Sequence, residues 1–439
     1  MISSLKRLWR DRRGNSLAIA GAALPLVLGS AGLASDTIQW TLWKRQLQRA
    51  ADSAAMAGVY AIAAGKPVGN CANIATATYA NPVAYDLKKN NFVGITTYCG
   101  VTNPPSVGGY TTDANAVRVV LEIEKKLAFS GLFLPTAPTI RGISTATIVP
   151  SGNYCVKALV NLPVTGIDAT GSTVVDLKCG MITMSTSMSA AVATGNASVT
   201  ASPIAAVGGI PASNNWGAGT VLQPFSLAQD DPFANVNVPT PTSPCQNFTD
   251  PENKPGGSPI TITPASGEIM CFKSDIDVKG DITFGPGVYV LDGASLSMHN
   301  TGAKLTCNGC TFVLTTSGTD MSKIGTVDLN GGKLDLTPPN TGCVKNTASC
   351  YDGMIFYQDR RATLDNSIKI NGNASSKIEG AFYFPRADMT FNGTAGMNTN
   401  CMQIVSWKVT FTGNSGITNS CPAGSSASSF EGKRIRLVE

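Results

Sequence analysis

Apolar and polar positions follow three different rhythms along this 439-residue chain. Gly14 to Ser35 carries no charge. Within it, Ser16 to Ala34 supplies close to the roughly 20 mostly apolar residues that a helix needs to cross hydrocarbon. Pro25 lies inside the run and predicts a kink. Asp36 to Ala64 is alanine-rich and helix-prone, so a transmembrane helix at about residues 15–35 is expected to continue beyond the apolar stretch. Residues 67–150 then mix periods. Ala75 to Leu87 reads as a weak helix interrupted at Asn81-Pro82. Val117, Val119, Leu121 and Ile123 alternate with polar neighbours as in a half-buried strand, and Thr139 to Val149 reads as a second strand. Between them Phe129-Ser130-Gly131-Leu132-Phe133-Leu134 is an apolar loop.

From about Cys155 helical periodicity disappears, and short apolar strands recur between Gly, Asn and Ser turns. One series is Val288-Tyr289-Val290-Leu291, Thr311-Phe312-Val313-Leu314, Met354-Ile355-Phe356-Tyr357, Ala381-Phe382-Tyr383-Phe384 and Met402-Gln403-Ile404-Val405. Tyr289 to Phe312 is 23 residues, to Ile355 a further 43, to Phe382 27 and to Gln403 21, a step in the low twenties with one double interval. A second series trails it at Leu296/Met298, Val327/Leu329, Leu334/Leu336, Ile368/Ile370, Met389/Phe391 and Val409/Phe411. Two interleaved series at one step predict the coils of a right-handed parallel β-helix, each burying its inward side chains against its neighbours. A β-sandwich, with equally short strands, is the alternative. Residues 155–210 share this texture and read as an earlier instalment of it, while the prolines of residues 211–265 read as an irregular linker. Arg434 to Val438 alternates and reads as a last strand capping the solenoid. The expected domains are 1–66 (anchor and helix), 67–150 (small α+β module), 151–210 (β-rich repeat segment), 211–265 (proline-rich linker) and 266–439 (β-helix-like domain).

Charge orients the anchor. Lys6, Arg7, Arg10, Arg12 and Arg13 precede the apolar run and Lys44, Arg45 and Arg49 follow it, which favours a cytoplasmic N-terminus. The competing reading is a cleaved secretory signal. Ala31-Gly32-Leu33-Ala34 resembles a cleavage site, but the apolar run is longer than the usual signal core. Of the net charge of +5, residues 1–13 hold +4, so the rest of the chain is nearly neutral and no nucleic-acid partner is expected. All twelve cysteines follow the span, and an even count beyond a membrane anchor predicts disulfides in an oxidising compartment. In a fold of stacked local coils the expected pairing is sequential: Cys71–Cys99, Cys155–Cys179, Cys245–Cys271, Cys307–Cys310, Cys343–Cys350 and Cys401–Cys421. Cys307-Asn-Gly-Cys310 offers a redox centre or half a zinc site as alternatives, but with no second CxxC and a single histidine in the chain a turn disulfide is expected there.

The stretch Arg12-Arg13-Gly14-Asn15-Ser16-Leu17-Ala18-Ile19, with Leu24-Pro25-Leu26 and Gly32-Leu33-Ala34-Ser35-Asp36, resembles the N-terminal domain of TadG-like proteins. These belong to the bacterial tight-adherence (Tad, or Flp) pilus system. The resemblance continues from Lys44 through Ala57-Gly58 and covers about residues 10–65. It implies that Arg12, Arg13 and Gly14 mark where the chain goes into the membrane. Type IV prepilins carry a glutamate five positions after the glycine, where this chain has Ile19, so an unprocessed accessory protein of the inner membrane is implied rather than a pilin subunit. A long helix laid on a short sheet is similar to the pilin-like module of that pilus class. Small residues at Ala50, Ala51, Ala54, Ala55, Ala57 and Gly58 permit close approach, either of a partner helix or of the chain's own sheet.

Candidate chemistry is sparse. No phosphate loop, dinucleotide fingerprint or metalloprotease helix is present. His299 is the single histidine, with no nucleophile elbow beside it, and reads as a surface residue. Asp275, Asp277 and Asp281 match a calcium loop poorly, since Lys279 interrupts them. Asp352, Asp359, Arg360, Arg361, Asp365, Arg386 and Asp388 fall on neighbouring coils and offer the one enzyme case, acid–base cleavage of an acidic glycan. Tyr351, Tyr357, Tyr383 or Trp407 would line its groove. Against it stands the reading of these charges as solvated surface pairs. The expected protein is a non-enzymatic, single-pass component of Tad/Flp pilus assembly, without cofactor or metal, contributing to pilus biogenesis or adhesion, its bulk periplasmic or exposed from the cell envelope. Its expected partners are the inner membrane and other Tad/Flp pilus-assembly proteins. A membrane-tethered carbohydrate-binding or carbohydrate-cleaving β-helix is the alternative, with a glycan as partner.

Overall fold

The computed structural model describes residues 15–364, 366–371, 373, 375–392, 397–413, 416–421, 427 and 429–439. Two compact units emerge: Met1–Val149 with Ile435–Glu439, and Pro150–Arg434.

In the first unit, helix α1 (Asn15–Ala63) is 49 residues long and carries Pro25 inside it. It is long and apolar enough to cross a membrane. Its apolar stretch is exposed, whereas Leu47, Ala50, Ala51, Ala54, Ala55 and Val59 are buried. They pack on helix α2 (Pro82–Lys89) and on an antiparallel sheet of β1 (Tyr98–Thr102), β2 (Val117–Glu124) and the first half of β3 (Thr139–Ala158). Val117, Val119, Leu121 and Ile123 form the inward face of β2, as their alternation predicts. Asn81-Pro82 begins α2 rather than interrupting a helix. The Asn81 side chain accepts from the Ala84 N–H, and Pro82 takes the first turn, where its missing N–H leaves no bond unmade. The chain's tail also differs from expectation. Phe430–Leu437 is the expected last strand, but residues 435–439 group with this unit: Glu439 accepts from Arg118 at 2.8 Å, and the Val438 N–H reaches the Thr145 carbonyl.

The second unit is built of parallel ladders. One runs through Ile260–Ile262, Asp281–Phe284, Lys304–Asn308 and Lys333–Thr337. A second runs through Ile269–Phe272, Gly287–Asp292, Cys310–Thr315 and Met354–Gln358. A third runs through Ile276–Asp277, Leu296–Met298, Val327–Asn330 and Asn366–Asn371. Each strand therefore pairs with the one three further along the chain. The long strands Lys377–Phe391 and Met397–Phe411 each contribute to all three ladders. Among the described residues, the parallel pairing of these ladders differs from the antiparallel sheets of a sandwich.

Residues 151–210 are not an earlier instalment in space. They extend the same ladders past Met397–Phe411. There the first ladder continues into Gly416–Ser420, but the second continues into residues 156–158 of β3 and the third into Ile167–Ala169. Val174–Leu177, Gly180–Thr183 and Ala191–Ala193 follow, then Ser198–Thr200, Ile204–Ala206 and Leu222–Gln223. The physical reason is the unpaired edge of Met397–Phe411, whose backbone groups need partners that the chain beyond it supplies to the first ladder alone.

Residues 224–259 thus carry the chain from one end of the ladders to the other. This segment is no solvated linker. It lies as a strap over the outward side chains of the second ladder, where Val236, Phe233, Val238 and Cys245 pack with Cys271, Val290, Val313, Tyr357, Tyr383 and Val405. The inward face of the same ladder holds an aromatic row: Tyr289, Phe312, Phe356 and Phe382, with ring centroids 5.7, 5.6 and 5.2 Å apart in turn.

Candidate functional site

Of the charged residues that the sequence singles out, Arg360 lies directly against the strap. Phe233, Val236 and Asn237 offer backbone carbonyls to the ladder beneath. Arg360 donates to the Phe233 carbonyl, to the Val236 carbonyl at 2.8 Å, to the Tyr383 hydroxyl at 2.8 Å and to the Tyr357 hydroxyl at 3.1 Å. Its guanidinium also lies over the Tyr357 and Tyr383 rings. The Tyr357 hydroxyl donates to Val236 at 2.7 Å and that of Tyr351 to Asn237. Burial pushes the Tyr357 phenol up to about 12. These three tyrosines are buried under the strap, so they line no open groove for a sugar.

The carboxylates are similarly occupied. Asp352 accepts from the N–H groups of Thr341, Gly342 and Cys343. Burial pushes its carboxyl up, but these donors outweigh that and hold it below the usual range. Asp359 is buried and takes Arg361 at 2.7 Å and the Thr315 hydroxyl at 2.7 Å, which again outweigh burial and hold its carboxyl low. Asp388 pairs with Lys408 at 3.0 Å, and Arg386 lies over the Trp407 ring while donating to the Ala362 carbonyl. Asp365 lies outside the described residues. Asp352, Asp359 and Asp388 thus each have a local structural partner.

Elsewhere, Asp275 accepts from the Ser295 N–H, and Asp277 takes the Ser297 hydroxyl and Lys279. His299 is exposed, 3.5 Å from Asp328. The cysteines form Cys71–Cys99, Cys155–Cys179, Cys245–Cys271, Cys307–Cys310, Cys343–Cys350 and Cys401–Cys421. Cys245–Cys271 ties the strap to the second ladder. Among the described residues, the places where three cysteine or acidic side chains meet are Cys245, Cys271 and Asp292, and Cys343, Cys350 and Asp352. Each contains a disulfide, whose sulfurs are not thiolate ligands.

At the anchor, Arg12, Arg13 and Gly14 lie outside the described residues. Ala50, Ala51, Ala54 and Ala55 face the chain's own sheet and α2. At Gly58 an added Cβ would stand 2.9 Å from Val117 and 3.3 Å from Val83. Of the two uses weighed for this small-residue stripe, packing within its own unit is the one observed.

Two contacts went unread in the sequence. Lys157 is buried beneath the strap, its ammonium donating to the Asp230 carbonyl and lying over the Phe430 ring. Asp36 is buried against the Phe129–Leu134 loop and accepts from the N–H groups of Phe129 and Ser130. A lone acid at the end of an uncharged run, and a lone lysine in an apolar strand, were the available signals.

No protein-family model and no curated protein matches the chain. Among solved structures it is similar to the competence-associated pilin ComZ from Thermus thermophilus, at 13% identity and a TM-score of 0.24, over 77% of this chain and 83% of that one. A likeness that weak carries no argument about fold or function.

Proposed function

We propose that this protein is a non-enzymatic, inner-membrane-anchored component of Tad/Flp pilus assembly. In this reading the N-terminus is cytoplasmic and the second unit is a right-handed parallel β-helix held in the periplasm as a scaffold for other pilus-assembly proteins. The observation that carries the anchor is α1, an exposed apolar helix that runs without a break into a packed domain. The motif of residues 10–65 supports the pilus assignment, and six disulfides beyond the helix support an oxidising compartment. The three-strand step of the parallel ladders supports the β-helix. The non-enzymatic reading is supported by the structural use of Asp352, Asp359, Arg360 and Arg361.

The test is a chromosomal deletion in the source bacterium, with surface pili counted by electron microscopy. Loss of pili, restored by the wild-type gene in trans, is the expected result. Unchanged pilus number and adhesion would refute the pilus assignment.

A further inference from the structure

The apolar loop Phe129–Leu134 has no role in the account above, and its surroundings give it one. Leu132 and Phe133 are 77% and 72% exposed, with Leu134 beside them also exposed. Three consecutive large apolar side chains in water are unfavourable unless something covers them. The loop is held against α1 at a defined level. Asp36 accepts the Phe129 N–H at 3.0 Å and also that of Ser130. The Phe129 ring fills the notch made by two helix glycines: a Cβ built on Gly32 would meet it at 2.2 Å, and one on Gly29 at 3.9 Å. At 1.5 Å of rise per residue, Gly32 and Gly29 lie about 6 and about 10 Å on the apolar side of Asp36. Phe129 therefore sits beside the helix within the stretch that is long and apolar enough to cross a membrane.

We infer that residues 129–134 insert into the outer leaflet as a second membrane contact beside α1. This rests on the reading of α1 as a membrane anchor. The occupant is lipid because the loop's exposed side chains continue the exposed apolar surface of the helix, which includes Leu28 and Leu33. The loop backbone also suits a medium without water. Leu132 donates to Phe129 at 3.1 Å, and Phe133 and Leu134 donate to Ser130 at 3.0 and 2.8 Å, while Asp36 takes the two N–H groups before them. On the polar side of Asp36 come Trp40, Trp43, Lys44 and Arg45, with Lys125 Nζ 4.9 Å over the Trp43 ring. Aromatic and basic side chains at that level match the headgroup zone and favour anionic lipid.

The test uses the full chain in liposomes of phosphatidylethanolamine and phosphatidylglycerol. Because the native cysteines are paired, Leu132→Cys and Phe133→Cys each add one free thiol for an environment-sensitive nitrobenzoxadiazole label. Leu26→Cys reports the helix interior and Tyr79→Cys an exposed position away from the loop. Doxyl lipids carry the quencher near the headgroup or near the bilayer centre. The expected result is loss of emission at 132 and 133 with the shallow quencher, at 26 with the deep one, and with neither at 79. Quenching at 26 alone would overturn loop insertion and leave the anchor standing. No quenching even at 26 would overturn both. Emission at 132 and 133 that is insensitive to lipid quencher but rises with protein-to-lipid ratio would show a second copy covering the loop, and would overturn the inference.

Discussion

The Tyr383 hydroxyl donates to Asp231 Oδ2 at 2.6 Å across 152 residues of sequence, and with Arg360 it fastens the strap to the second ladder. Burial and the Asp231 carboxylate both push the Tyr383 phenol up, so it stays a donor at neutral pH. Tyr383→Phe is expected to cost about 1–3 kcal/mol, because Asp231 loses a donor beneath the strap. Arg360→Lys is expected to cost a similar amount, since an ammonium cannot reproduce the planar fork that reaches two carbonyls and two hydroxyls. Chemical denaturation gives the energies. Faster proteolysis within residues 224–246 would locate the damage in the strap.

Lys157 occupies the outward row of the second ladder next to Val405, and burial pushes its ammonium down to about 8 against the pull of Asp231 and Asp230. The ordinary value is 10.5. Between those pH values the unfolded chain binds more protons than the folded one, so Lys157 makes stability rise with pH through that window. The full change is about 3 kcal/mol. Lys157→Met should lack this rise. Guanidinium unfolding of both proteins in detergent at pH 7 and pH 10 checks it, and parallel pH curves would refute it.

Ala54 is fully buried between α1 and the sheet. Ala54→Leu should overpack this contact and cost about 1–3 kcal/mol. A drop in Tm of the isolated protein is the expected observation. An unchanged Tm with altered association would return the stripe to a partner helix.

Gly32→Leu should displace Phe129 and free the loop, whereas Gly21→Leu, with nothing within 4 Å of an added Cβ, should not. Trypsin cleavage at Lys125 and Lys126 in liposomes is expected to accelerate in the first variant alone.

Much of the fold was legible because burial was one-sided. Val117 to Ile123 alternates since only one face of β2 meets the helix. The long apolar helix was legible from the length and composition of its run. The second ladder was legible as strands but not in register: the step count aligned Phe312 with Ile355 and Phe382 with Gln403, whereas the structure pairs Phe312 with Phe356 and Phe382 with Ile404. Both faces of Met354–Gln358 are buried, one inside the ladders and one under the strap, so alternation carried no information about which side faced inward. The strap was hidden for a related reason. Proline density marks a segment without regular structure and says nothing of what lies beneath it. Arg360 read as a surface charge because the strap carbonyls that desolvate it are more than a hundred residues away.

The most direct test of the central claim is topology. A C-terminal alkaline phosphatase fusion, active only where its own disulfides form, should be active and remain in the membrane fraction after alkaline carbonate extraction. An inactive fusion, or one released in soluble form, would contradict a single-pass anchor that holds this disulfide-bonded domain on the oxidising side of the membrane.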